Sequence, residues 1–111
     1  MMQKLAAVAV TILLTACATQ APSQGYRPAN YAGAPWVISG SVNLLTGSAS
    51  IDINSQRAAA GQLNLLTGDG EFSGSYQGKP VAASCITKTM FSTVTTCFVF
   101  VAGEKAATLT F

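Results

Sequence analysis

The chain of 111 residues contains no histidine. That absence removes the Ser–His and Cys–His pairs that activate nucleophiles and the imidazole donors of the usual zinc sites. Charge is scarce too: Lys, Arg, Asp and Glu make up 9% of the residues, and like charges never cluster. A nucleic-acid footprint needs clustered Lys and Arg, so no nucleic-acid partner is expected. Nor does any stretch reach the roughly 20 apolar residues that a helix needs to cross a bilayer. The carboxylates are Asp52, Asp69, Glu71 and Glu104. Three of them stand at or beside expected turns, so they read as solvated turn charges rather than the carboxyl pair of a glycoside hydrolase. No catalytic residue, metal site or cofactor is expected, and the protein reads as a non-enzyme.

What is present starts at the amino terminus. Lys4 precedes the uncharged run Leu5-Ala6-Ala7-Val8-Ala9-Val10-Thr11-Ile12-Leu13-Leu14, a cationic start and short apolar stretch typical of an export signal. Leu14-Thr15-Ala16-Cys17 follows directly. It resembles the lipobox of bacterial lipoproteins, an apolar residue and two small ones before a Cys. The resemblance covers residues 1–17 only. It implies that residues 1–16 are a cleaved signal peptide and that Cys17 carries a covalent diacylglyceryl lipid, with a further acyl chain on its new amino group. Each buried methylene contributes ~0.8 kcal/mol, so two or more chains anchor stably. Ala18 in place of Asp implies sorting to the outer membrane, with the domain in the periplasm or at the cell surface.

Three cysteines are an awkward number for an exported protein. Lipidation of Cys17 leaves Cys85 and Cys97, which an oxidising compartment would join as a disulfide. Such a bridge contributes ~3 kcal/mol, useful in a domain with a limited core. Removal of residues 1–16 leaves 95 residues, in which five cations face four carboxylates for a net charge of +1.

Residues 17–35 hold three prolines and few large aliphatics. They read as a flexible tether spanning on average about 21–25 Å, with Tyr26 and Tyr31 exposed along it. From Trp36 to Phe111 the composition turns to Val, Ile, Leu, Thr, Phe and Ser punctuated by Gly, which is strand chemistry. Residues 55–60 stay open between a short helix and a loop.

A segment repeats 21 residues on: Asn-Leu-Leu-Thr-Gly stands at 43–47 and again at 64–68. Two copies fit a duplicated β-hairpin, 40–54 and 61–75, rather than a solenoid. With Gly47-Ser48 and Gly68-Asp69 as the central residues of type II′ turns, Leu44 faces Ile51, Val42 faces Ile53 and Leu65 faces Phe72. Asn43–Asp52 and Asn64–Ser73 fall on the opposite, polar face. A third turn at Gly103-Glu104 sets Phe100 against Ala107 and Phe98 against Leu109. Between these lies a bend near Met90-Phe91-Ser92. The expected fold is all-β, an up-and-down antiparallel meander of about seven strands (37–46, 49–54, 61–67, 70–76, 80–88, 93–102 and 106–111) that curls into a small barrel or flattened sandwich.

Leu45 and Leu66 fall on the otherwise polar face at equivalent places in the repeat. They are either a partly covered second mini-core or a paired contact site for a partner. Ser73-Gly74-Ser75-Tyr76 resembles the Ser-Gly-containing loop of lipoprotein inhibitors of host lysozymes. Leu109-Thr110-Phe111 resembles the aromatic ending of outer-membrane β-barrels but reads as an ordinary core strand. The expectation is a membrane-anchored, non-enzymatic binding or assembly module with an envelope partner. A structural envelope lipoprotein without a ligand, or an inhibitor of an incoming hydrolase, is the alternative.

Overall fold

A computed structural model describes residues 18–29, 31–89 and 93–111. The lipobox with Cys17, the signal peptide and the Met90-Phe91-Ser92 bend lie outside the described residues. Within them the chain is all-β, with no helix: β1 Ala18–Gln20, β2 Gln24–Tyr26, β3 Trp36–Asn43, β4 Ser48–Ile53, β5 Gln56–Gln62, β6 Gly70–Tyr76, β7 Lys79–Thr89, β8 Thr93–Val101 and β9 Glu104–Thr110. Every pairing is antiparallel and β3 to β9 follow chain order across one sheet. The architecture is therefore the expected meander, curled into a half-barrel, with nine strands instead of seven.

Alternation makes the core. On β3, Trp36, Ile38, Gly40 and Val42 are buried while Val37 stays exposed. Ile51, Ile53, Val81, Val99, Val101 and Leu109, with Cys85 and Cys97, are also fully enclosed. Each such aliphatic side chain contributes ~1.5–3 kcal/mol when removed from water. Cys85 and Cys97 stand directly opposite in the β7–β8 ladder and are joined as a disulfide, Cα–Cα 4.0 Å.

The curl brings β2 and the last strand, β9, together, and side chains close the seam. The Gln24 amide behaves like a strand: its Nε2 donates to the Thr108 carbonyl (2.5 Å), and Thr108 N–H donates to its Oε1 (3.0 Å). Two outward-facing backbone groups of edge strand β9 are thereby satisfied, which blunts an edge open to foreign strands. Tyr26 Oη donates to Glu104 Oε1 at 3.2 Å.

The expected tether is thus laid onto the sheet. Ala18–Gln20 and Gln24–Tyr26 both pair with β3. Ala21 and Pro28 are buried. The rings of Tyr26 and Tyr31 meet Trp36 edge-to-face, centroids 6.3 and 5.8 Å apart, and Tyr76 completes the cluster at 4.9 Å. Composition argued for disorder because the segment has no core of its own. Trp36, supplied by β3, offsets the ordering entropy instead.

Two of the expected registers are displaced by four residues. Gly40 faces Ile51, Ile38 faces Ile53, and Ala59 faces Gly74. An even displacement leaves every side chain on its own face, so Val42, Ile51, Ile53 and Phe72 are buried as expected while Leu44 and Leu65 leave the ladder. The third register is displaced by an odd number. Its turn is Ala102-Gly103, both at positive φ (51° and 80°), and a bulge follows between Val99 and Phe100. Val99 therefore faces Ala107, Cys97 faces Leu109, and Phe98 and Phe100 lie half-buried on the other face.

Residues 56–60 belong to β5 and Ser55 to the turn before it. Asn54 and Ser55 both take positive φ (51° and 66°), the signature of a type I′ hairpin. Asn54 is held there by Val37, whose N–H donates to Asn54 Oδ1 at 2.9 Å, and by Tyr76, whose oxygen accepts from Asn54 Nδ2 at 3.0 Å.

Candidate functional site

The two ends of the curled sheet differ in chemistry. At one end Asn54-Ser55, Gln77-Gly78 and Ala102-Gly103 make tight polar turns. Six of the nine charged side chains in residues 18–111 lie at or toward this end: Arg27, Asp52, Arg57, Lys79, Glu104 and Lys105. At the other end stand the two Asn-Leu-Leu-Thr-Gly segments.

These segments are single helical turns, not type II′ turns. Asn43 Oδ1 accepts from Leu45 N–H (2.9 Å) and Thr46 N–H (3.2 Å), and Gly47 N–H returns to Asn43 O (2.7 Å). Asn64 repeats the pattern with Leu66 N–H (2.8 Å), Thr67 N–H (3.2 Å) and a Gly68 N–H bond to its carbonyl (2.6 Å). An Asn that caps its own following amides offers the backbone an alternative to the strand ladder. Gly47 and Gly68 end each turn in the left-handed region, φ 79° and 74°, where Gly carries no Cβ penalty. The turn consumes the residues that a two-residue hairpin would have left in the strands, hence the displacement by four.

The turns are locked side by side. Leu63 N–H donates to Gly47 O (2.8 Å), and the Gln62 amide reaches Thr46 O. Thr87 holds the second turn from β7: its hydroxyl donates to Gly68 O (2.6 Å) and its N–H to Asp69 Oδ1 (2.8 Å), while Thr95 Oγ1 lies 2.8 Å from its hydroxyl.

This arrangement pushes leucines outward. Leu45 is 74% and Leu66 96% exposed, with Leu44 and Leu65 at 58% and 67%. The mini-core reading of Leu45 and Leu66 is therefore excluded, since neither is covered. Between the turns and the β7–β8 end lies an open cleft of about 340 Å³, lined by leucines, threonines and the two Asn, with no ionisable side chain. It can accept apolar groups and donate or accept hydrogen bonds at its threonines. A second shallow groove of about 370 Å³ crosses the outer face of β6–β8 beside Glu71, Phe72 and Phe100.

The carboxylates are engaged separately. Asp52 Oδ1 takes a 2.9 Å ion pair from Arg57 Nε, Asp69 caps Thr87, Glu104 accepts from Tyr26, and Glu71 is exposed on β6. Burial, and then the Glu104 carboxylate, push the Tyr26 phenol above its ordinary value. Among the described residues no three His, Cys, Asp or Glu side chains are grouped to hold a metal ion. Among the described residues no helix long and apolar enough to cross a membrane is present. Ser73–Tyr76 lies inside β6, the strand expected over 70–76, and so is not a loop like that of the lysozyme inhibitors it resembles.

One further feature was invisible to sequence reasoning. Ala18 pairs with Asn43, the first residue of the first leucine turn. The described residues therefore begin at the leucine end of the sheet. No protein family, curated protein or solved structure matches the chain.

Proposed function

We propose that the chain is an exported lipoprotein, anchored through Cys17 in the outer membrane of a bacterium. Its β domain is a non-enzymatic contact module that works through the leucine-tipped end, with Leu45 and Leu66 at its apex. The observation that carries the reading is the duplicated turn: two identical capped turns, locked together, hold four leucines in water. A monomer gains nothing in stability from such a patch, and apolar groups displayed together mark a contact site. The absence of histidine, the bridging of Cys85 to Cys97 and the separate engagement of the carboxylates all favour binding over catalysis. The disulfide suits an oxidising compartment, which fits export.

The reading also revises the geometry of the anchor. With Ala18–Gln20 and Gln24–Tyr26 paired on β3 in place of a free tether, the domain sits against the membrane rather than about 21–25 Å above it. Labelling cells with a radioactive or clickable fatty acid tests the anchor: the protein takes up label, and Cys17→Ser abolishes it. In-cell crosslinking with residue-specific probes at Leu45 and Leu66 tests the contact end. Adducts concentrated at these positions, and absent from probes at Gln77 and Gly78, are expected. Equal or no adducts at both ends would defeat the reading.

A further inference from the structure

The leucine end has an occupant that the chain's own path points to. We infer that Leu44, Leu45, Leu65 and Leu66 insert into the surface of the same bilayer that holds the lipid on Cys17, so that the domain stands on its leucine turns. The inference rests on the proposed anchor and names what the contact end touches.

The argument is geometric. Ala18 is in register with Asn43, and antiparallel partners lie about 4.5–5.5 Å apart at Cα. Cys17 is bonded directly to Ala18, so a lipid on it would draw a membrane toward the end of the sheet that carries Leu44 and Leu45. The second turn, bonded to the first through Leu63 N–H and Gly47 O, is carried to the same plane. All four leucines are more than half exposed, whereas six of the nine charges lie at or toward the far end of strands six to eleven residues long. At the leucine end Lys88 offsets one of two acids, Asp69 and Glu71, and the Asp69 carboxylate is already engaged by Thr87 N–H. Interfacial elements of proteins divide their surface in this way, apolar residues into the acyl boundary and charge into water. A protein partner would also cover leucines, but it would not explain why the chain meets the anchor at this end.

The test uses the full mature protein, extracted from membranes and reconstituted in phosphatidylethanolamine–phosphatidylglycerol vesicles doped with a brominated phospholipid. Trp36 is the chain's one tryptophan, buried in the core at the polar end. It is a built-in control. Leu66→Trp, at a position 96% exposed, adds an indole at the apex, and Leu45→Trp repeats the measurement on the first turn. The added emission is expected to be quenched by bromolipid, as for a ring buried about 5–10 Å into the headgroup–acyl boundary, and to resist iodide. Trp36 emission stays unchanged. An added indole quenched by iodide and untouched by bromolipid overturns the inference, as does one shielded from both, which signals a second copy or a protein partner. Mass spectrometry of the Cys17 peptide in the same preparation judges the anchor separately. Lipid on Cys17 without bromolipid quenching refutes the leucine contact alone. With Cys17 unmodified, quenching in protein that floats with the vesicles still supports the contact, and protein that fails to float overturns it.

Discussion

Replacing Asn43 or Asn64 with Ala asks whether the repeated segment encodes a capped helical turn. Each Asn Oδ1 accepts two backbone N–H groups, at 2.9 and 3.2 Å in the first turn and 2.8 and 3.2 Å in the second. Loss of such a cap typically costs ~1 kcal/mol, within a range of about 0.5–2. For a domain this small that lowers the melting temperature by about 4–8 °C per kcal/mol. Because Leu63 N–H bonds Gly47 O and ties the turns together, the double variant should depart from additivity by about 0.5 kcal/mol or more. Asn→Asp keeps the acceptor and serves as the control. Urea unfolding with the disulfide intact measures the midpoint shift, and an unchanged slope shows that the compactness of the two states is preserved. If both Ala variants stay within about 0.5 kcal/mol of wild type, as at an ordinary surface site, the turns are not Asn-capped. The two-residue turn at Gly47-Ser48 would then be the better description.

Three further outcomes follow from the packing. Joint replacement of Cys85 and Cys97 by Ala removes a bridge across 12 residues and should cost ~3 kcal/mol; a loss under about 1 kcal/mol in urea unfolding would mean that the bridge restrains little. Gly74→Ala drives a Cβ into the Ala58 carbonyl oxygen, part of the backbone of β5, and should cost about 3 kcal/mol or more. Gly78→Ala meets nothing within 4 Å but keeps φ at 75°, so strain alone costs about 1–2 kcal/mol; equal losses at the two sites would remove the steric account. Finally, the raised Tyr26 phenol means that an unfolded chain releases this proton at lower pH than the folded one. Stability is whole below pH 10.0, the phenol's ordinary value, and falls as pH rises through it. Tyr26→Phe should flatten that fall above the ordinary phenol pKa of ~10, and an unchanged profile would assign it elsewhere.

Much of the interior was readable because face depends on parity alone. Val42, Ile51, Ile53 and Phe72 are buried as the alternation required, although their ladders sit four residues from the expected register. Phe98 and Phe100, expected opposite Leu109 and Ala107, lie half-buried on the other face, since one bulge beside Phe100 makes the displacement odd. Bulges leave little trace in a sequence without alignment to a partner strand. The Ser55 turn was missed for a similar reason. A Ser at φ 66° is unusual locally and is held through the Asn54 bonds to Val37 and Tyr76, whose positions depend on the whole sheet.

The amino-acid order alone determined the all-β class, the meander and the Cys85–Cys97 pairing, because alternation, turn residues and cysteine count act within or between neighbouring strands. It also displayed the duplicated Asn-Leu-Leu-Thr-Gly and the lipobox-like approach to Cys17. Only tertiary structure decided that Ala18–Gln20 and Gln24–Tyr26 lie on β3, since that depends on Trp36 receiving Tyr26 and Tyr31 and on the Gln24 amide finding Thr108 across the seam. Only the curl of the sheet, likewise, set Ala18 beside the first leucine turn. Long-range closure of this kind depends on the summed packing of the whole sheet, which no local pattern records.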